Sequence, residues 1–561
     1  MSDAEWLFCG YAADMSRKQG GDAASICVIC HGHMGESHER TDDPGAPTVV
    51  SGPRQGTRKA RLCRLLTPNR KEPSMAIDFD AESGIGPKDP KKGELTTEEK
   101  ALLGDIQGNI LKSHGRDHSQ HLFLKFDTTK ANEARAWLVQ LATKKVTSAL
   151  KQWDESLTRA EIFEKSMKKQ DPEAYRSDEL AKKGSSIFIN VMLSAKGYDA
   201  LGLSSKKPKD ATFCGGAAGA VSRLADPARK DWEAPYDTAD LHALVIVADD
   251  DPGRVDAEAK AIAASLKGGT VVSTEVGKAL RRGKNGPVHE HFGFVDGVSN
   301  PLFFAKDIPQ KSDDIKRWNP GAGLNLALAK DPGGKATTGY GSFLVYRKLE
   351  QDINQFNKDR HELAKALAKE DQRTEPNHAD WQLAGAYMVG RFPDGFPVSE
   401  KATPEGANND IPNNFNFDAD TKGLKCPFQS HIRKTNPRGD TTKLGETLKK
   451  ERTHRISRRA ISYEKKGKVG LLFLCVQKNI ETQFEFMQKL WVNNPTFVQQ
   501  NPRTGLDPLI GQGTPESQQW PAKYGSEKKI PLSLQQSVHM RGGEYFFLPS
   551  MSCLMSMATT S

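Results

Sequence analysis

Along this chain, short segments whose apolar residues have a strand-like spacing alternate with segments whose apolar residues have a helix-like spacing. Period-two alternation and continuous apolar runs predict strands, whereas apolar residues three and four positions apart predict helices. In the first half these patterns predict strands at 120–127, 186–193, 241–248 and 270–273 and helices at 130–141 and 256–266. The order β-α-β-β-α-β is that of a ferredoxin-like unit, interrupted by a lysine-rich helical insertion that ends near residue 184.

A similar order returns in the second half of the chain. The patterns there predict strands at 342–346 and 469–477 and helices at 349–369 and 479–492. The stretch 371–452 is rich in Asn, Pro and Gly, and we expect it to be a long functional loop region. We therefore expect an α+β fold of two ferredoxin-like β-α-β-β-α-β domains with antiparallel sheets.

Composition and charge exclude other classes of protein. The longest apolar runs have about eight residues, and a membrane-spanning helix needs roughly 20, so we exclude a membrane protein. The chain has 80 Lys and Arg against 71 Asp and Glu, an excess of nine over 561 residues. The interpretation as a basic RNA- or DNA-binding protein is supported by this charge excess alone. Because basic residues do not form a stripe interleaved with aromatics, we expect no nucleic-acid partner.

Residues 1–94 differ from the rest, with no sustained periodicity and four of the eight cysteines. Cys27, Cys30 and His31 match the C-x-x-C-H pattern of covalent haem attachment, but chance and a metal or redox motif are alternatives. A cleaner sequence begins at Met75, which would leave the first 74 residues as a tail or a translation artefact. We see no signal peptide or twin-arginine signal and expect a cytoplasmic protein. The predicted domains are the extension 1–94, an N-terminal domain 95–285 and a C-terminal domain 286–555.

One candidate reactive residue is an aspartate in a glycine-rich segment. Asp296 lies between Gly293 and Gly297, which permit tight backbone turns and leave space for a flat ligand. Phe292 and Phe294 beside it indicate a partly desolvated acid that is suited to proton transfer. A simple turn is the alternative interpretation.

Two basic segments follow downstream. His431 is succeeded by three cationic residues within seven positions, a poor setting for a bare metal cation. It suits a ligand that offers a metal to the imidazole and carboxylates to guanidinium groups, as haem does, although a structural histidine is the alternative. Arg458 belongs to a group of three arginines before a buried strand, where it lies either at a solvated edge or in an anion-binding pocket.

In combination, these segments resemble the dye-decolorising peroxidase family, and most closely its larger, longer-chain subgroup. The turn around Asp296 resembles the GxxDG signature, His431 in HIRKTNPR the proximal haem ligand, and Arg458 in RISRRAISY the distal arginine. Further matches in the same order are DIQGNIL at 105–111, GSFLVYRKL at 341–349, MVGR at 388–391 and GLLFL at 470–474. The similarity runs from about 95 to 555, and Ser457 and Ala460 depart from the family pattern.

The resemblance implies a peroxidase with one haem b per chain, held in a cavity of the C-terminal half. Such an enzyme uses hydrogen peroxide to oxidise dyes, phenols and similar organic donors through a ferryl porphyrin-radical intermediate. His431 would be the axial ligand of the iron, and Asp296 and Arg458 the acid–base and charge-stabilising pair on the other side. A haem-binding or haem-handling protein without physiological turnover is the alternative. Family habit also implies a homo-oligomer.

The same resemblance suggests supporting roles for other residues. Arg433 would pair with a haem propionate, Phe473 would cap the distal pocket, and His291 would either line the haem edge or be structural. Glu481 or Glu485 would accept a hydrogen bond from the second ring nitrogen of the axial histidine. Aromatic residues that serve either as electron-transfer stations or as core residues are Trp381, Tyr387, Trp491 and Tyr545.

Overall fold

The computed structural model describes residues 76–166, 168–171, 179, 186–281, 286–405 and 411–558. The C-x-x-C-H motif at 27–31 and the segment before Met75 lie outside the described residues. Within the described residues, no helix combines the length and the apolar character that crossing a membrane requires.

The described part of the chain contains fourteen strands and twelve α-helices. The strands are β1 (His118–Phe126), β2 (Phe188–Leu193), β3 (Ala243–Asp249), β4 (Gly269–Lys278), β5 (Leu280–Arg281), β6 (Val288–His289), β7 (Ala329–Lys330), β8 (Tyr340–Gln351), β9 (Ser457–Arg458), β10 (Ile461–Lys465), β11 (Lys468–Gln477), β12 (Gln518–Pro521), β13 (Lys529–Leu532) and β14 (Val538–Leu548). The helices are α1 (Thr97–Asp105), α2 (Ala131–Lys144), α3 (Ala149–Ser166), α4 (Ala195–Ala200), α5 (Ala211–Gly215), α6 (Val221–Leu224), α7 (Pro252–Ser265), α8 (Ile353–Glu370), α9 (His378–Val389), α10 (His431–Thr435), α11 (Leu448–Arg452) and α12 (Met551–Met555).

One further helix follows β11 and has a wider turn. Its two parts are Glu481–Glu485 and Met487–Val492. Backbone bonds of the i to i+5 type, such as Glu485 N–H to the Ile480 carbonyl at 3.0 Å, identify it as π-helical. We call these two segments the π-helix.

Eight of the strands form a continuous antiparallel path in the order β10-β11-β8-β14-β2-β3-β1-β4. In the first half, β1 to β4 are arranged in the order 2-3-1-4. The second half repeats that order when β8, β10, β11 and β14 are counted as its four strands. The expected α+β fold with two ferredoxin-like units and antiparallel sheets is therefore present.

The two halves join through their outer strands. Strand β14 meets β2, with Phe547 opposite Leu193. At the other end, β10 lies against β4, where Lys465 Nζ is 3.1 Å from a carboxylate oxygen of the buried Glu275. Each half thus covers the outer strands of the other, and the sheet curves round into a barrel.

The predicted strands and helices of the first half are all present, but the second half contains elements that the sequence patterns did not reveal. Strands β10 and β14 were not predicted. The expected loop region 371–452 contains α9, which has a capping box between Asn377 and Asp380 at its start and Gly390 at its end. That segment is consequently more ordered than its composition indicated.

The described part of the predicted N-terminal extension, residues 76–94, packs onto the C-terminal half. Ile85 is buried, and its N–H donates to the Phe303 carbonyl at 2.8 Å while its own carbonyl accepts from Ala305 at 3.0 Å. Ile85 thereby belongs to a hydrophobic core to which both halves contribute.

Candidate active site

A large cavity opens in the C-terminal half between β8, β11, the π-helix and the loop after β6. Its empty space, including the opening to solvent, is about 1690 Å³. Asp296, His431, Arg458 and Phe473 all line it. The cavity therefore brings together four residues that span 177 positions of the sequence, from Asp296 to Phe473.

Asp296 lies in a tight turn on one wall. Gly293 and Gly297 adopt positive φ angles of 90° and 84°, a conformation that favours glycine. The Asp296 N–H donates to the Val288 carbonyl at 2.9 Å, which fixes the turn on β6. One carboxylate oxygen, Oδ1, accepts both the Gly297 N–H at 2.6 Å and Nη1 of Arg458 at 2.9 Å. Oδ2 is thus the oxygen that remains for a ligand.

Arg458 reaches the same point from β9. This strand pairs with β11, so Arg458 lies opposite Cys475. Its backbone N–H donates to Oδ1 of Asn300 at 2.9 Å, which ties it to the loop that carries Asp296. The Arg458 and Asp296 side chains keep 32% and 25% of their surfaces accessible, because both face the cavity. The pair is held in place and remains open to a ligand.

His431 begins α10 and also lines the cavity. Its Nδ1 lies 2.9 Å from Oδ2 of Asp507, so Nε2 is the ring nitrogen available to a ligand. The Asp507 carboxylate is fully buried, and its Oδ1 accepts the backbone N–H groups of Leu509 and Ile510. Burial raises the pKa of Asp507, but His431 and these amides outweigh it and hold the pKa below its ordinary value. An ionised Asp507 therefore fixes the orientation of the imidazole.

Two buried arginines give another wall a positive charge. All hydrogen-bond acceptors of Arg391 and Arg438 among the described residues are neutral, and both guanidinium groups donate to Ser299 Oγ. Burial, helped by the charge of Arg458, lowers the pKa of Arg391 to about 9, and burial also lowers that of Arg438. Uncompensated buried cations of this kind favour an anionic ligand.

Glu290 is a second carboxyl group on the cavity wall. Its oxygens accept the N–H groups of Phe292 at 2.8 Å and Phe294 at 2.9 Å and the side chain of Gln351. Burial raises the pKa of Glu290 to about 7 against these hydrogen bonds, and Asp296 raises it further. Glu290 lines the same cavity as Asp296. The sequence analysis did not identify this residue.

Comparison with known proteins decides the family. Residues 105–282 match the family model described as the DyP dimeric alpha+beta barrel domain, and 289–499 match that of the Dyp-type peroxidase C-terminal region. The multifunctional dye peroxidase DyP2 of Amycolatopsis sp. is 36% identical over 486 residues, which is 82% of this chain and 97% of the relative. The chain belongs to the dye-decolorising peroxidase family. It is accordingly an oxidoreductase of the peroxidase type.

Other dye-decolorising peroxidases support the same placement. The dye-decolorizing peroxidase msp1 of Mycetinis scorodonius is 33% identical over 408 residues, 66% of this chain and 76% of that protein. The crystal structure of the DyP-type peroxidase AnaPX of Anabaena sp. superposes with a TM-score of 0.73 at 40% identity, covering 85% of this chain and 97% of that one. The fold of this peroxidase is therefore that of its family.

Some residues expected at the site of this dye-decolorising peroxidase lie elsewhere. Arg433 is fully buried away from the cavity wall, and its guanidinium group is bound by the carboxylates of Asp420 and Asp440. It has no free charge for a propionate, which corrects that prediction. His291 is not part of the wall either, since its Nε2 contacts the Tyr463 carbonyl at 3.0 Å. A structural role fits His291 better.

The carboxylate beside His431 also differs from expectation. Asp507 holds that position, whereas Glu485 binds Arg223 and the Tyr545 hydroxyl, and Glu481 is exposed. Phe473 lies on the cavity wall, and its role as the cap of a distal pocket stays a prediction. Of the aromatic residues considered for electron transfer, Trp381 is partly exposed and the other three are buried: Tyr387, Trp491 and Tyr545.

Proposed function

We propose that this chain is a haem peroxidase that uses hydrogen peroxide to oxidise dyes, phenols and similar organic donors. One observation carries the proposal: the His431–Asp507 pair and the Asp296–Arg458 pair open onto a single large cavity. An imidazole held by a carboxylate is the usual setting of a metal-ligating histidine. An acid beside a guanidinium group is suited to moving a proton while charge develops.

The residues of the cavity fit a haem group. Among the described residues, no three His, Cys, Asp or Glu side chains cluster to hold a metal ion. A single imidazole at His431 therefore suits an iron whose other ligands belong to a porphyrin, and Arg391 and Arg438 suit its carboxylates. When bound, haem supplies the iron that takes oxidising equivalents from peroxide and passes them to organic donors one electron at a time.

The chain's own residues handle the proton and the charge. Because Oδ1 of Asp296 is occupied by Gly297 N–H and Arg458, Oδ2 accepts the proton of the incoming peroxide and returns it to the departing oxygen as water. Arg458 offsets the negative charge that develops as the O–O bond breaks. Ala460, also on the cavity wall, provides no hydrogen bond, so this pair acts without a further donor there.

A haem-handling protein without turnover is the competing function. It would need His431 but not both members of the Asp296–Arg458 pair. Two hydrogen bonds fix this pair, one from the Gly297 N–H to Asp296 and one from the Arg458 N–H to Oδ1 of Asn300, and they favour the peroxidase.

Absorption spectra of the purified protein and of His431→Ala test the proposal. We expect a Soret band in the wild-type protein that changes within seconds of adding one equivalent of peroxide, and a weak or displaced band in the variant. A wild-type Soret band that peroxide leaves unchanged would favour the haem-handling function. An identical spectrum in the variant would refute His431 as the ligand.

A further inference from the structure

Lys434 is a buried cation close to His431 for which the chemistry proposed above has no use. It lies three residues after His431 on α10, and residues three apart on a helix point to the same side. Lys434 is fully buried. Its Nζ donates to the backbone carbonyls of Asn494 at 2.8 Å and Gly505 at 2.5 Å. Both acceptors belong to the segment that leads to Asp507.

These two carbonyls lie at the neck of a loop. The Gly505 N–H donates to the Pro495 carbonyl at 2.8 Å, and this hydrogen bond joins the two ends of the loop. Lys434 binds one carbonyl on each side of this neck. Asp507 follows Gly505 by two residues, and its N–H donates to the Val492 carbonyl at 3.1 Å. The lysine therefore holds the neck of the loop directly before the carboxylate that contacts His431.

The cost of burying this ammonium group indicates a specific role. Among the described residues, Lys434 has no carboxylate within 4.0 Å, so the two carbonyls are its partners. Burial lowers the pKa of Lys434 to about 7, although the nearby charge of Asp507 acts in the opposite direction. An apolar side chain of similar length would avoid that cost but could not bind the loop.

We propose that Lys434 is a positioning residue that holds Asp507 against Nδ1 of His431 and thereby sets the basicity of the imidazole. The inference rests on the proposed ligation of haem iron by His431. A carboxylate hydrogen-bonded to a ligating histidine raises its basicity, and disturbing such a partner typically weakens metal binding or activity about 10–100-fold. Lys434 acts on the iron through Asp507 and His431 and does not touch it.

The test compares Lys434→Met with Lys529→Met in the haem-loaded protein. Lys529 is a matched control, because its Nζ also donates to a backbone carbonyl, that of Gly423 at 3.1 Å, outside the Asp507 loop. We measure the ferric/ferrous midpoint potential and the iron–histidine stretching band of the reduced protein by resonance Raman spectroscopy.

In Lys434→Met we expect the potential to rise, because a less basic imidazole stabilises ferric iron less. A tenfold weaker preference for ferric iron corresponds to about 59 mV for a one-electron couple. The stretching band should move to lower frequency. Lys434→Gln retains N–H donors on a shorter side chain and should shift both quantities in the same direction but less. Lys529→Met should match the wild type.

A folded Lys434→Met protein with wild-type potential and stretching band would overturn the inference. If that variant does not fold, Lys434→Gln decides by the same two measurements, and unshifted values overturn the inference. Failure of the proposed function looks different: the wild-type protein itself would show no iron–histidine band, or His431→Ala would retain it.

Discussion

Replacing Asp296 by Asn separates the chemistry of the cavity from its stability. The Asp296 and Arg458 side chains are 25% and 32% accessible, and an ion pair as exposed as this contributes about 0–1 kcal/mol to stability. Asn retains an oxygen for Arg458 and for the Gly297 N–H, so we expect little change in unfolding. The neutral amide of Asn, however, is too weak a base to accept the proton. Loss of general acid–base catalysis slows a reaction about 10²–10⁴-fold, which is roughly 3–5 kcal/mol in the barrier.

The assay for Asp296→Asn is stopped-flow mixing of the haem protein with hydrogen peroxide, followed at the Soret band. We expect an unchanged resting Soret band, a melting temperature within a few degrees of the wild type, and a rate at least 100-fold lower. Glu400→Gln is the matched control, because Glu400 and Arg317 form a pair at 2.7 Å with 25% and 39% accessibility. A rate within tenfold of the wild type would refute the role proposed for Asp296 as the proton acceptor.

Two further predictions concern other groups on the cavity wall. Burial raises the pKa of Glu290 to about 7, so the folded protein binds more protons than the unfolded chain between about pH 4.5 and 7. The contribution of Glu290 to the free energy of unfolding therefore falls by about 3 kcal/mol as pH rises through that window. In Glu290→Gln the fall should disappear from urea unfolding at pH 5 and 7.5, and an unchanged pH dependence would contradict the assignment. Arg391→Met removes a buried cation whose present acceptors are neutral. A charged hydrogen bond from it to a haem propionate would be worth about 1.5–3 kcal/mol. Haem transfer to an apo-globin acceptor should be at least tenfold faster than from the wild type, and equal rates would show that Arg391 does not hold a propionate.

Sequence patterns predicted the fold best where burial follows a simple period. All residues of β3 are buried, and its continuous apolar run predicted the strand directly. Strand β14 went unpredicted because its register shifts between Met540 and Gly542, where Gly542 has a φ of 151°. Its apolar residues are consequently not spaced as in a regular strand.

The site could be predicted in part for a similar reason. Asp296, His431 and Arg458 lie in local motifs whose residue types indicate chemistry, and all three line the cavity. Asp507 meets His431 across 76 positions, and no local spacing indicates that contact. For Arg433, in contrast, the local sequence indicated a contact that the fold does not make. Arg433 lies two residues from His431, but its guanidinium group is bound by two aspartates.

Arg433 and Arg438 lie in the same basic segment but have different hydrogen-bond acceptors. Arg433 is neutralised by Asp420 and Asp440, whereas Arg438 has only neutral acceptors among the described residues. A count of positive charges along the segment does not distinguish the two. The folded chain does so by placing carboxylates beside one and the cavity beside the other.

The mutual covering of outer strands has a consequence for how this chain behaves in concentrated solution. Strands β2 and β4 of one half meet β14 and β10 of the other. Either half alone would expose strand edges with unpaired backbone N–H and C=O groups. Such edges can pair with strands of other molecules. By carrying both halves in one polypeptide, the enzyme protects itself against edge-to-edge aggregation.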